Sequence, residues 1–244
     1  MSEEPRPYRQ MATTCRTRPM GSAPLQWPPL PLPTEKYEGL ELDFISGTES
    51  ELVADMWKRG YPELMGSTLD FIFHPEMYKG KILLRENYEQ DKYGCNRAMI
   101  RWEKSGTIDM VMMLRKWDEN RQVELTIGTI LPHRRKLEGL FIQGFAMVMD
   151  WLRGSGAEYL TAFCETWHDL SQRLLEANGF KICGIFPGQH VRWTSANRQY
   201  RGCTVHYYRF IGEGAAYATR PEEWRLSERA SRLWRVLAKL NEGI

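Results

Sequence analysis

The stretch VELTIGTILPHRRKLEGLFIQGFAMVMDWL, residues 123–152, changes its apolar periodicity partway along. Its first part has the composition of a strand, which Pro132 ends, and the basic turn HRRK at 133–136 follows. The rest is predicted to be a helix with one buried stripe, formed by Phe141, Phe145, Val148 and Leu152. A helix start after a basic turn is a site for anionic phosphate, because its unpaired N–H groups and its positive dipole end both favour phosphate oxygens.

The segments around this stretch alternate between strand and helix patterns. Upstream, the predicted elements are a strand at 40–46, helical stretches at 48–65 and 69–81, and strands at 97–103, 107–116 and 123–131. Downstream they are a strand at 158–164, a helix that Thr166 caps and Asn178-Gly179 closes, and strands at 180–186 and 204–211. The order is therefore β-α-α-β-β-β-α-β-α-β-β, and a C-terminal amphipathic helix begins at Pro221.

Two short motifs in this order resemble those of the GNAT superfamily of N-acetyltransferases. The first is Ile130-x-Pro132-x-x-Arg135, and the second is ANGFKICGIFPG at residues 177–188, with the family's spacing between them. The resemblance covers about residues 40–211. It implies an α/β GNAT fold, in which helices flank a central, mixed but mostly antiparallel twisted sheet, here with an N-terminal extended arm and a C-terminal helix.

The resemblance also implies that acetyl-CoA is the co-substrate and binds at the helix start after the basic turn. The residues expected to hold it are Ile130, Leu131, Arg134, Arg135, Lys136, Leu137, Glu138, Gly139, Leu140, His168 and Ser171. Aligned on Arg135, the family's two loop glycines fall on Glu138 and Leu140, with Gly139 between them. Aligned on Arg134, the second glycine falls on Gly139 and the first on Leu137. The pyrophosphate loop is therefore degenerate, and a carboxylate near a diphosphate predicts weakened binding of CoA.

Glu124 is the candidate general base. It lies on the strand before the loop, eleven residues before Arg135, where members of the family that use a carboxylate base carry it. If its side chain points inward among Leu125 and Ile127, burial should raise its pKa towards a useful value. The alternative is that Glu124 faces solvent beside Arg121.

The sequence identifies the proton donor to the departing thiolate less clearly than it identifies the base, because Leu175 replaces the family's tyrosine. His168 replaces the family's asparagine and is one candidate, since an unperturbed imidazole has a pKa of about 6.5. Tyr207 is another, with Tyr200 and Tyr208 as alternatives. Each of these three also fits as an ordinary aromatic of the sheet or its loops.

Composition excludes several other classes of function. The formal charge of +2 indicates no global field for nucleic acid or a membrane surface, and neither partner is expected. The five cysteines are scattered, without a C-x-x-C pair or a histidine at ligand spacing, so no metal site is expected. No apolar stretch of about 20 residues and no secretory leader is visible, which favours a cytoplasmic location.

The chain divides into three predicted parts. Residues 1–36 form a proline-rich extended arm, 37–212 the GNAT-like acyltransferase domain, and 213–244 a linker and the amphipathic helix. The arm is either a mobile tail or a segment held against something. In the second case the side chains it would bury are Trp27, Leu30 and Leu32.

The leading functional hypothesis is acyl transfer from CoA to the primary amine of a small molecule or a protein, by direct attack. The first alternative is a GNAT-fold structural or adaptor subunit with impaired catalysis, bound to a protein partner or a second copy through the arm. The second alternative is acyl transfer from a carrier protein, for which a degraded CoA loop would matter less.

Overall fold

The computed structural model describes residues 15–18, 23–31, 37, 39–104, 106–130, 138–194 and 198–243. The strands are β1 Glu41–Phe44, β2 Arg97–Lys104, β3 Thr107–Trp117, β4 Gln122–Ile130, β5 Tyr159–Glu165, β6 Lys181–Trp193 and β7 Gln199–Phe210. The helices are α1 Ser50–Gly60, α2 Tyr88–Asp91, α3 Glu138–Leu152, α4 Asp169–Ala177 and α5 Glu228–Leu240. Among the described residues, no helix is long and apolar enough to cross a membrane.

The seven strands form one sheet in the order β1-β2-β3-β4-β5-β7-β6. The pair β4 and β5 is parallel, and the other neighbouring pairs are antiparallel. The parallel connection runs through α3, as a parallel crossover requires. The predicted α/β architecture with a mixed, mostly antiparallel sheet is therefore confirmed.

Two hydrophobic layers cover the sheet, one on each face. The first layer joins α3 and α4 to β2–β5 and β7, and Phe141, Phe145 and Phe180 are among its buried residues. The second layer packs α1 and short 3-10 turns against β2 and β3. At Gly144 of α3 an added Cβ would lie 2.8 Å from the indole nitrogen of Trp102, so only glycine allows this helix to approach the sheet so closely.

The segment before β2 differs from the prediction. Residues 69–81, predicted to be helical, form the 3-10 turns Asp70–Phe73 and Pro75–Met77, and the second α-helix is the short α2. Pro75 explains part of the difference, because it has no N–H to donate inside a helix. The turns still bury Phe71, Ile72 and Phe73 in the second layer.

The described part of the N-terminal segment packs into the first layer. Leu25 and Trp27 are fully buried, and the rings of Trp27 and Trp151 stack with centroids 6.2 Å apart. The indole of Trp27 donates to the carbonyl of Cys95 at 2.8 Å. Leu30 is partly buried against the same layer, and Leu32 lies outside the described residues.

The C-terminal helix begins later than predicted. Pro221–Glu223 is a 3-10 turn, and α5 begins at Glu228, after the Ser227 hydroxyl accepts the N–H of Ala230. Ser227 therefore caps α5, and Pro221, predicted to begin the helix, begins the separate turn before it. No residue within α5 is buried, so the predicted apolar stripe is largely exposed, at 59% for Leu233.

Candidate functional site

Strands β4 and β5 pair over only four residues each and then separate. The pairing covers Gln122–Leu125 and Tyr159–Ala162, although β4 continues to Ile130 and β5 to Glu165. A cavity of about 340 Å³ fills the gap between the separated ends. Beyond the paired part, the backbone of β4 that faces β5 forms no described ladder with it, so its amides are free to meet a ligand.

The cavity lies between the two strands and the start of α4. Its walls include Thr126–Ile130 of β4, Phe163–Glu165 of β5 and, from α4 and its cap, His168, Ser171 and Leu175. Ile130, His168 and Ser171, predicted to hold acetyl-CoA, therefore come together here. Leu175 is buried in the wall and brings no polar group to the cavity.

His168 occupies the N-cap position of α4. Its Nδ1 lies 2.6 Å from the Ser171 hydroxyl, and its ring contacts Trp167 edge-on at 5.4 Å. Thr166, predicted as the cap, instead lies in the turn after β5 and donates its N–H to the carbonyl of Cys203. The helix start therefore presents an imidazole to the cavity.

The predicted pyrophosphate loop falls mostly outside the described residues. Leu131, Arg134, Arg135, Lys136 and Leu137 all lie in the segment 131–137. Glu138 and Leu140 belong to the first turn of α3, and an added Cβ at Gly139 would meet no atom within 4 Å. The degeneracy of the loop therefore stays a prediction.

Glu124 lies on the sheet face opposite α3 and α4 and is half-buried. The Thr126 hydroxyl donates to its Oε1 at 3.1 Å, whereas Arg121 pairs with Glu158 at 3.0 Å. Glu124 lines a second cavity of about 410 Å³, not the gap between the strands. Thr126 and Phe163 line both cavities, so the two are neighbours beside Glu124.

Tyr207 lies in the core between β7 and α4. Its hydroxyl donates to Oε1 of Glu176 at 3.0 Å, and 1% of its surface is exposed. Burial, reinforced by the bond to Glu176, raises the pKa of this phenol. Tyr207 lines the second cavity rather than the gap, so its role as proton donor stays a prediction that the geometry does not favour.

Cys164 is a nucleophilic residue type in the wall of the gap. Burial raises the pKa of its thiol to about 12, with smaller contributions from Glu176 and Glu165. The thiol is therefore protonated at neutral pH and suited to packing rather than to covalent catalysis. Among the described residues, no group of three or more metal-ligating side chains is found.

Glu63 is a candidate that the sequence analysis missed. It lies in the turn Pro62–Leu64 after α1, lines the gap and has its pKa raised by burial. The hydroxyl of Tyr61 donates to the carbonyl of Gly128 at 2.6 Å and fixes this turn against β4. No sequence motif marks Glu63, because it is a single acid after a proline. Its position at the cavity is visible only in the fold.

A buried ion pair closes the far wall of the gap. Nε and Nη2 of Arg192 donate to Oε1 of Glu165 at 2.9 and 2.6 Å, and both side chains are about nine-tenths buried. Arg192 of β6 is therefore neutralised by an acid of β5. This pair is structural and offers no free charge to a ligand.

Comparison with known proteins identifies the fold. No protein-family model and no curated protein matches the sequence. A mutant of the spermidine N-acetyltransferase SpeG from Vibrio cholerae aligns with a TM-score of 0.56 at 10% identity, over 73% of this chain and 97% of that one. An acetyltransferase of the GNAT family from Streptococcus pneumoniae aligns with a TM-score of 0.52 at 16% identity, over 71% and 99%.

A third structure carries a ligand. That of yncA from Salmonella typhimurium, solved with its cofactor acetyl-CoA, aligns with a TM-score of 0.52 at 14% identity, over 75% of this chain and 99% of that one. At such identities the likeness establishes the fold alone. The predicted GNAT fold is thereby confirmed.

Proposed function

We propose that this protein is an N-acyltransferase that moves an acetyl group from acetyl-CoA to a primary amine by direct attack. The observation that carries the proposal is the separation of β4 from β5 after Leu125 and Ala162, which opens a cavity inside the sheet. A gap of this kind exposes strand amides to a ligand. Such amides are suited to polarise a carbonyl group.

The described residues around the gap fit an acylated pantetheine arm. The walls are mainly apolar, and Met110, Met112 and Phe145 contribute to them. Ile130, Gly139, His168 and Ser171 would hold acetyl-CoA near the start of α3 and α4, together with the residues of 131–137 and the first turn of α3. Acetyl-CoA would supply an activated thioester, and the amides of Ile127–Ile130 would orient its carbonyl.

Glu124 is the proposed base for the attacking amine. It accepts from Thr126, which lines both cavities, and it lines the second cavity itself, so an amine bound there would lie beside Glu124 and next to the gap. His168 is the proposed donor to the departing thiolate, because it lines the gap at the start of α4. Glu63 is the competing base.

Two isosteric variants separate the competing bases. Glu124→Gln is expected to lower kcat about 100-fold or more, with affinity for acetyl-CoA unchanged, because a general base contributes on that order. Glu63→Gln is the matched comparison and should change kcat far less. A loss confined to Glu63→Gln would transfer the role to Glu63.

Calorimetric titration with acetyl-CoA tests the cavity itself. Ser171→Trp should fill the gap and weaken binding at least about tenfold, since Ser171 lines it. Arg173→Trp is the control, because Arg173 is an exposed residue of the same helix. Absence of binding to the unaltered protein at millimolar acetyl-CoA would overturn the proposed function.

One of the observations behind the adaptor alternative was the proline-rich arm. The arm packs against its own domain through Leu25 and Trp27 and offers neither side chain to a partner. An arm-dependent oligomer is therefore not part of this proposal.

A further inference from the structure

A row of polar side chains crosses four strands on the face opposite α3 and α4. Arg97 of β2 is paired with Arg115 of β3, which is paired with Glu124 of β4. Glu124 is paired in turn with Thr161 of β5. Residues directly opposite each other in a sheet project from the same face, so these four side chains are neighbours.

The second cavity lies over this row. Arg97, Arg115, Glu124 and Thr161 all line its 410 Å³, and Tyr159 contributes an aromatic wall. It shares Thr126 and Phe163 with the lining of the gap between β4 and β5, so the second cavity is a neighbour of the proposed acyl site.

Within the described part of the chain, Arg97 and Arg115 form no ion pair, although the charge of Glu124 acts on Arg97 at longer range. Neither has a described carboxylate within 4.0 Å, and the Nε of Arg115 is buried without a hydrogen-bond partner in the described part of the chain. The Arg115 guanidinium lies 3.6 Å from the ring centroid of Trp117 and that of Arg97 5.5 Å from Phe71. The rings hold the guanidinium groups in place but leave their charge available.

Two other arginines of the sheet, Arg101 and Arg192, are paired with acids. Arg101 contacts Glu49 at 2.8 Å and Arg192 contacts Glu165 at 2.6 Å, so each shielded arginine has its own acid. Like charges placed directly opposite each other destabilise a sheet. The pair Arg97 and Arg115 therefore costs stability in the free protein unless an anion lies between the two groups.

The imidazoles around the cavity add no positive charge at neutral pH. Burial lowers the pKa of His190, with Arg192 acting in the same direction, and burial also lowers the pKa of His206. The cavity thus has a cationic end at the two arginines and an anionic point at Glu124. This polarity suits a ligand with opposite charges at its two ends.

We propose that the acceptor is an amine that also carries a carboxylate, with the carboxylate between Arg97 and Arg115 and the amine at Glu124. Guanidinium groups bind carboxylates through paired, charge-assisted hydrogen bonds, which gives this end its selectivity. Arg97 and Glu124 are two strands apart, roughly 10 Å between backbones. Long arginine side chains shorten that span, so an acceptor with several carbons between amine and acid should fit.

The transfer step rests on the proposed function. The carboxylate site between Arg97 and Arg115 rests only on the row of paired side chains across β2–β5. Glu124 would take one proton from the ammonium group, and the freed nitrogen lone pair would form a C–N bond to the thioester carbonyl. As the C–S bond breaks, the attacking nitrogen would lose its second proton to water, and His168 would give a proton to the departing sulfur and regain one from water. The products are an N-acyl amino acid and free thiol, with no change in oxidation state.

A series of ω-amino acids of increasing chain length tests the proposed carboxylate site without acetyl-CoA. Calorimetry would compare glycine, β-alanine, γ-aminobutyrate, δ-aminovalerate and ε-aminocaproate with the unbranched alkylamines of equal length. We expect an optimum at an intermediate chain length and at least about tenfold weaker binding of the matched alkylamine. Equal binding of amino acids and alkylamines would overturn the proposal, and so would tighter binding of phosphoethanolamine than of every amino acid.

Arginine variants locate the binding. Arg97→Gln and Arg115→Gln should each weaken the best amino acid at least about tenfold, while Arg59→Gln, at an exposed position on α1, should not. Because it removes a like-charge pair, Arg115→Gln should also raise the melting temperature of the free protein. Unchanged affinity in both cavity variants, with folding confirmed by their melting curves, would remove the arginines from the site.

The two proposals fail in different ways. Arginine-dependent binding of the amino acid without transfer from acetyl-CoA would overturn the enzyme and keep the site. Transfer to alkylamines at equal rates, unaffected by Arg97→Gln or Arg115→Gln, would overturn the carboxylate site and keep the enzyme.

Discussion

The two ends of the chain differ in burial in the opposite sense to the one their sequences suggest: the proline-rich arm is buried and the amphipathic helix α5 is exposed. Residues 23–31 are proline-rich and lack apolar periodicity, yet Leu25 and Trp27 are completely buried. Helix α5 has a regular apolar stripe, yet Leu233 and Leu240 are each 59% exposed. Burial here follows the surface available on the sheet and α3, and not the regularity of the pattern.

The attachment of each end explains the difference. The arm adds its own backbone to the core: the Trp151 indole donates to the carbonyls of Pro28 and Pro29, and the Lys116 ammonium donates to that of Leu25 at 2.6 Å. Helix α5 is tied mainly through Asn241, whose side chain bonds both the N–H and the carbonyl of Ile182 at 2.9 Å. An extended segment can meet the core through its backbone, which a helix cannot.

The largest effect is expected at the arm. Trp27→Ala should lower the free energy of unfolding by about 3–5 kcal/mol, because it empties a buried site against Trp151 and removes a hydrogen bond. Urea denaturation followed by circular dichroism measures this. Leu233→Ala in α5 is the matched control and should stay within about 0.5 kcal/mol of the unaltered protein. Equal losses in the two variants would contradict the contrast.

A smaller effect is expected where α5 meets the edge strand β6. Asn241→Ala should lower the free energy of unfolding by about 1–3 kcal/mol, because it leaves both backbone groups of Ile182 without this partner. Amide exchange at Ile182 should accelerate, while exchange in β2 and β3 stays slow. Unchanged exchange at Ile182 would show that α5 is held by other contacts.

The smallest effect concerns the acid dependence of the arm. The hydrogen bond from Arg18 lowers the pKa of Glu158, and the charges of Arg18 and Arg121 add to this. A lowered carboxyl pKa stabilises the folded protein above the usual pKa near 4.5, and this contribution is lost as the pH falls through the lowered value.

The stability difference between the unaltered protein and Glu158→Gln should thus be present at pH 7, on the order of 1 kcal/mol or less. It should be smaller at an acid pH below 4.5. Denaturation curves at the two pH values measure it. A difference that grows towards acid pH would contradict the assignment.

Much of the fold could be predicted from the sequence, but less of the site. The change of period after Pro132 located β4 and α3, and Trp27 was identified as a residue that a held arm would bury. These are local patterns, in which the spacing of apolar residues identifies a single strand or helix. Glu63 was missed because nothing in its neighbours marks it, and a turn after α1 brings it to the gap.

The arginine row shows why register limits prediction. From the turn after β2, Glu103 is paired with Ile108, and continued pairing would place Leu114 opposite Arg97. A bulge between Trp102 and Glu103 shifts the register by one residue and brings Arg115 there instead. Because a shift of one residue reverses the face of every side chain, two arginines become neighbours that the sequence separates.

By itself, the sequence determined the succession of strands and helices, the basic turn before α3 and the residues from which a site could be built. These depend on spacing within a segment, which the chain carries wherever it folds. Only the tertiary structure decided that β4 and β5 separate, that the arm and not α5 enters the core, and that Arg97, Arg115 and Glu124 share one cavity. Those outcomes depend on strand register and on competition for the same buried surface, and no single segment encodes either.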